Sequence, residues 1–187
     1  MDKINSTEEL KNPQFIKPML INYTQKGVEK KWEAVVSHNS VSILLWHKEK
    51  DSFVLVKQLR PAVLNVSNSD GYMYELCAGI IDKNASDKQI AKEEILEECG
   101  YDIAVENIEY ITTFYTSVGI SGASQILYYA EIDEKMKVND GGGLNDEEIE
   151  VIYLQVSEAK KFMFDESYKK TPGMMMAFYW FFDNKRG

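Results

Sequence analysis

A chain of 187 residues with 30 acidic against 21 basic side chains carries a formal charge of -9, a field that repels a nucleic-acid backbone. Its 44% hydrophobic and 12% aromatic content supplies a real core and excludes disorder over most of the length. Two cysteines, Cys77 and Cys99, are too few for a disulfide framework and point to a reducing cytoplasm. The N-terminal segment shows no apolar run of the signal-peptide kind. The longest apolar run, Met174 to Phe182, falls far short of the ~20 residues that cross a bilayer. The expectation is a soluble cytoplasmic protein with no membrane or nucleic-acid partner. If it handles phosphates, it needs a local base or a cation to offset its own charge.

In chain order, Phe15 to Tyr23 reads as a strand interrupted at Pro18, hence an edge strand, and Gln25 to Gly27 as a turn. Trp32 to Val36 and Val41 to Trp46 read as strands joined by a polar turn at His38 to Ser40. Phe53 to Gln58 follows a second turn and forms a hairpin with the strand before it. Asn65 to Gly71 reads as a loop, and Tyr72 to Ala78 as one short strand ending at Gly79. Ser86 to Cys99 is the best helix of the first half. Ser86 and Gln89 make a capping box, Gly100 follows as a stop, and Ala91, Ile95 and Cys99 with Ile90 form a buried stripe. Ile108 to Tyr115 and Ile126 to Ile132 are strands flanking a loop, and Glu150 to Gln155 is another strand. Ser157 caps a helix to about Phe164, and Thr171-Pro172 opens a last, largely buried helix. Strands mixed with helices predict an α+β or α/β sandwich.

The chemistry concentrates on the first helix. Glu94, Glu97 and Glu98 share one face at i, i+3 and i+4. They sit in the last turn, where the helix dipole also opposes negative charge. Local stability does not explain that crowding, whereas a hard divalent cation such as Mg²⁺ or Mn²⁺ does. The competing reading is a solvated acidic face. Arg60, ending a strand beside Pro61, is a candidate phosphate contact, with a surface ion pair as the other reading. Glu75 either orients the site or faces solvent. The Gly141 to Glu148 loop is glycine-rich and acidic, so it either closes on a ligand or is a solvated turn. Ser121 to Gln125 is a second candidate wall, though an ordinary turn is the stronger reading for any one residue. His38, His47, Cys77, Cys99 and the Met174 to Met176 cluster read as packing or surface residues.

Gly79, Glu94, Ile95, Glu97, Glu98, Gly100 and Tyr101 fall on the register of a box that ends Arg-Glu-hydrophobic-x-Glu-Glu-x-Gly-hydrophobic. In this the chain resembles the Nudix hydrolase family. Two positions depart: Ala85 replaces the box's first glutamate and Glu93 its arginine. Phe53 to Val63, Tyr74 to Gly79 and Gly141 to Leu144 resemble the UDP-sugar diphosphatase branch, which also carries Glu at the arginine position. The related ADP-ribose diphosphatases share the architecture.

The resemblance implies a mixed-sheet sandwich between helices, with residues 39–187 as the hydrolase domain and 1–38 as an antiparallel strand arm. It implies Mg²⁺-dependent hydrolysis of a nucleoside diphosphate sugar of the UDP-glucose or ADP-ribose type. Glu94, Glu97, Glu98 and the Ala78 carbonyl would hold the metal, and Glu97, Glu98, Glu147 and Glu148 are the catalytic candidates. Arg60, Glu75 and Gly79 would meet substrate, and the arm would pair two subunits into a homodimer. The alternative is a nucleotide-binding module that does not cleave, which Ala85 and Glu93 favour and the intact glutamates oppose.

Overall fold

The computed structural model describes residues 2–66, 70–144 and 147–186. Strands β1 (Lys17–Gln25) and β2 (Val28–Val36) form a separate antiparallel ribbon, paired from Lys17↔Val36 to Gln25↔Val28. Lys26 and Gly27 make its two-residue turn, both at positive φ, which matches the twist of the flanking strands. Pro18 lies in an edge strand, where its missing N–H is tolerated.

The other seven strands form one mixed sheet: β3 (Ser40–His47), β4 (Ser52–Leu59), β5 (Tyr72–Glu75), β6 (Cys77–Ile80), β7 (Glu109–Tyr115), β8 (Ser124–Ile132) and β9 (Ile149–Gln155). β3 runs parallel to β8, and the remaining pairings are antiparallel. The expected hairpin between β3 and β4 holds only from Leu45↔Val54 to His47↔Ser52. Beyond that the two strands diverge. The segment expected as one strand, Tyr72 to Ala78, enters the fork and splits: β5 pairs with β4, and β6 crosses to β3. Leu76, 4% exposed, is the buried pivot between them.

Side-chain alternation sends Val41, Ile43 and Leu45 to one face and Leu44 to the other. The first face is covered by α2 (Asp87–Glu94), through Ile90 and Ala91, and by the wider turn into which α2 runs, Ile95–Cys99. Ser86 caps α2 by accepting from the Gln89 N–H, but the Gln89 side chain bonds Glu93 rather than closing a capping box. Gly100 ends the helix in the left-handed region. The second face is covered by α3 (Ala159–Phe164) and α4 (Pro172–Asn184), where Phe53 stacks on Phe178 at 4.4 Å. Thr171 caps α4, accepting from the Met174 N–H.

Two local expectations change. Pro61–Val66 is a short helix, α1, because Pro61 suits a first helical position and the Arg60 carbonyl accepts from Val63 and Leu64; of the expected loop, residues 67–69 lie outside the described residues. Ser157 is not a cap: Val156, tied to the Asp51 carbonyl, starts a tight turn there, and α3 begins after Glu158. The α/β sandwich and the antiparallel arm are both present.

Candidate active site

The site forms where the fork in the sheet meets the end of the acidic helix. β6 passes beside that helix so closely that a Cβ on Gly79 would overlap the Glu94 carboxylate. One residue earlier, the Ala78 N–H donates to Glu98 Oε2 at 3.0 Å. Glu98 is 6% exposed and turned inward, while Glu94 and Glu97 are half-buried. Burial, reinforced by the Glu97 charge, pushes the Glu94 carboxyl up to about 7. Burial pushes Glu98 up to about 8 against the opposing bonds from Ala78 and Cys77, with Glu94 and Glu147 adding repulsion.

The glycine loop is laid across the same helix end. Gly142 N–H donates to the Glu98 carbonyl at 3.0 Å and Gly143 N–H to the Glu97 carbonyl at 3.1 Å, which satisfies terminal helix carbonyls. Gly141 has φ 71°, and a Cβ there would strike the Glu98 carbonyl. The loop returns through Glu147, whose Oε2 accepts from the Leu144 N–H at 2.9 Å. The Glu147 charge is felt at Glu94, Glu98 and Arg60. That of Glu148 is felt instead at Tyr72. Of the two candidates, Glu147 is the one whose charge acts among the leading influences on the carboxylate cluster.

Arg60 is held as a fork on Glu75, Nε to Oε1 at 3.1 Å and an Nη to Oε2 at 2.5 Å, with Gln58 Nε2 on Oε2 at 3.2 Å. Arg60 is thus ion-paired, and it also borders a cavity. That cavity, about 600 Å³, lies between the sheet and the start of α4, and Ser42, Arg60, Glu75, Ala78, Phe114 and Gln125 line part of it. The loop before β8 contributes Thr116 and Ser117 to the wall. Of the candidate wall Ser121 to Gln125, Gln125 lines the cavity, while Ser121 bonds Ser37 of the arm junction.

The two departures from the box have structural explanations. Ala85 packs against the core beside α2. Glu93 forms an ion pair with Lys83 and accepts from Gln89. Sequence reasoning missed Lys83, whose only signal is a base in the loop before the helix. It also missed Ser42 and Phe114, which lie in ordinary strand patterns.

The donor set of Glu94, Glu97 and Glu98 fits a hard divalent cation: three carboxylate groups in one region, with burial and neighbouring carboxylates opposing the charge of Glu94 and Glu98. Their oxygens do not close as tightly as those of His47, Glu49 and Glu134, which lie within 4.8 Å of one another. That tighter group is already satisfied. His47 accepts from the Lys50 N–H at one ring nitrogen and meets Glu134 at the other, and Lys50 pairs with Glu134.

A helix-flanked mixed sheet, with a glutamate-bearing helix end beside a glycine strand and a cavity edged by the Arg60–Glu75 pair, is an arrangement suited to a metal-assisted hydrolase of phosphate compounds. No family model matches the chain. It is 34% identical to the uridine diphosphate glucose pyrophosphatase NUDT14 of Bos taurus, over 90% of this chain and 88% of that protein. It is 35% identical to the protein of the same name from Mus musculus, with the same coverage. It is 40% identical to the GDP-mannose pyrophosphatase of Cronobacter sakazakii, over 71% of this chain and 68% of that one. The chain belongs to the Nudix-type nucleotide-sugar diphosphatases.

Proposed function

We propose that this protein hydrolyses the diphosphate bond of a nucleoside diphosphate sugar, releasing a nucleoside monophosphate and a sugar phosphate, with Mg²⁺ (or Mn²⁺) held by Glu94, Glu97, Glu98 and the Ala78 carbonyl. The observation that carries the reading is the burial of Glu94 and Glu98 with raised proton affinity, beside a cavity edged by Arg60. The cation, when bound, neutralises the diphosphate and activates water.

The protein's own groups do the rest. Arg60, oriented by Glu75 and Gln58, offers its guanidinium to a phosphate at the cavity mouth. Gly79 gives Glu94 room. Glu147, carried on the glycine loop and acting electrostatically on Glu94 and Glu98, is our first candidate for the base that takes the proton from water, with Glu148 the second. The relatives named for UDP-glucose and GDP-mannose support the substrate class.

We further assign residues 1–38 to subunit pairing in a homodimer, residues 39–187 to the chemistry, and the protein to the cytoplasm. The arm exposes Met19, Ile21 and Trp32, which supports the pairing. Among the described residues, no helix is long and apolar enough to cross a membrane.

Incubation of the protein with UDP-glucose, GDP-mannose and ADP-ribose in Mg²⁺ tests the activity. We expect a nucleoside monophosphate as product, abolished by chelation. Removing a group that supports a metal ligand costs ~10–100-fold, so Glu97→Gln, acting on a ligand itself, should lose at least that much. Tight binding of these nucleotides without turnover would establish the binding-module reading in its place.

A further inference from the structure

Ser42 stands out in a well-satisfied molecule. It lies on β3 with 3% exposure, flanked in sequence by Val41 and Ile43 at 0%. Among the described residues its Oγ is the only buried side-chain polar atom with no hydrogen-bond partner. A buried hydroxyl left unpaired costs stability, and a valine or alanine would sit in this strand more comfortably. Ser42 is also among the residues that line the cavity, where a bound group could offer the hydroxyl a partner.

Gln125, which lines the same cavity, lies on β8 opposite Ser40, two residues before Ser42 on the same face of β3; the direct partners of Ser42 are Leu127 and Ala78. The Gln125 amide nitrogen donates to Ser40 Oγ at 3.1 Å, which fixes the orientation of the amide. The carbonyl oxygen Oε1 then faces the first turn of α4, 3.5 Å from where a Cβ on Gly173 would stand. The cavity floor therefore offers one hydroxyl that can donate and one oxygen that can only accept. The same lining adds apolar surface from Leu76, Phe114, Met174 and Met176, alongside the polar edge of Arg60, Glu75, Thr116 and Ser117.

We propose that Ser42, together with Gln125, binds a hydroxyl of the sugar half of the substrate and sets which sugars are accepted. The inference rests on the nucleotide-sugar reading above. One sugar hydroxyl satisfies both partners with a single oxygen, accepting from Ser42 Oγ and donating to Gln125 Oε1. The C–H face of the ring covers Phe114 and the methionines. A nucleobase edge would need two adjacent atoms in a fixed order to do the same. A pocket built to hydrogen-bond a substrate hydroxyl discriminates strongly against analogues lacking it, because its own polar atoms are then left unpaired.

The test uses the full-length enzyme and Ser42→Ala with three kinds of substrate: UDP-glucose, GDP-glucose, and a set of UDP-deoxyglucoses that each lack one ring hydroxyl. We expect Ser42→Ala to lose ~10-fold in kcat/KM on UDP-glucose and by the same factor on GDP-glucose. With one member of the deoxy set, wild type and Ser42→Ala should turn over equally. The ligand-free Tm of Ser42→Ala should match or exceed that of wild type, which a serine holding the fold together would not allow. An unchanged kcat/KM, a loss that follows the base rather than the sugar, or a fallen Tm overturns the assignment while leaving the hydrolase reading intact. A wild-type enzyme inert on every nucleotide sugar overturns both.

Discussion

Burial, more than mutual repulsion, sets the proton affinity of Glu94 and Glu98. Both carboxyls sit above their ordinary value of 4.5, at about 7 and about 8. For an acid whose pKa is raised by folding, the folded state binds more protons than the unfolded one between those two values. Its favourable contribution is complete below the unfolded pKa and is lost as pH rises through the folded one. The metal-free protein should therefore lose thermal stability from about pH 5 to about pH 8 on account of this pair. A divalent cation binds the charged forms, so its stabilising effect should grow over the same window as protons cease to compete. Melting with and without Mg²⁺ at a series of pH values checks this. Glu98→Gln should flatten the metal-free pH dependence and remove most of the gain from Mg²⁺. A metal-free Tm that climbs between about pH 6 and pH 8 in wild type but not in Glu98→Gln would contradict the account. That these carboxylates lie together at one helix end was legible from their spacing in the sequence. The inward turn of Glu98 was not, because its partner is the Ala78 N–H on a strand 20 residues away.

The glycines show how elements, rather than single side chains, build the site. Gly79 and Gly141 both lie against the acidic helix, but against different things. A Cβ on Gly79 meets the movable end of the Glu94 side chain, whereas one on Gly141 meets the Glu98 backbone carbonyl at a φ that L-residues resist. Gly79→Ala should therefore displace Glu94 at little cost to the fold, weakening Mg²⁺ binding and turnover with a nearly unchanged Tm. Gly141→Ala should cost ~2 kcal/mol, or a Tm drop of roughly 5 °C, and move the loop that carries Glu147. Parallel melting curves and Mg²⁺ titrations separate the two; equal stability losses would refute the distinction. Helix α2 and its ends could be read directly, because Ser86, Gly100 and the Ala91–Ile95–Cys99 stripe are local signals. The break at Leu76 could not. It exists because β3 and β4 diverge and the segment from β5 to β6 fills the gap, a consequence of packing between strands far apart in sequence. The glycine run at 141–143 was legible as a flexible loop but not as the cap of a distant helix.

The ribbon of β1 and β2 raises the last question at the scale of the whole molecule. A two-stranded sheet is marginal by itself in water. Here register places Met19, Ile21 and Tyr23 opposite Ala34, Trp32 and Lys30 on one face, and Met19, Ile21, Tyr23 and Trp32 are all exposed. The body holds the ribbon through Val35 N–H to the Ile120 carbonyl at 2.7 Å and Trp32 Nε1 to the Gly119 carbonyl at 2.9 Å. Those carbonyls belong to the loop whose Thr116 and Ser117 wall the cavity, so the arm and the site share a support. Burying such a face against a second copy would stabilise the ribbon and steady the loop together. Sedimentation equilibrium should accordingly show a dimer, and Ile21→Glu, which places a charge in the middle of the apolar face, should yield a monomer whose main domain keeps its circular dichroism. Because the loop is tied to the ribbon, that monomer should show a raised KM for nucleotide sugar and a smaller change in Mg²⁺ affinity, since Glu94 lies on α2, Glu97 and Glu98 lie on the turn that continues it, and Glu98 is bonded to β6. A wild-type protein that sediments as a monomer at full activity would show instead that the exposed ribbon serves some other purpose than pairing subunits.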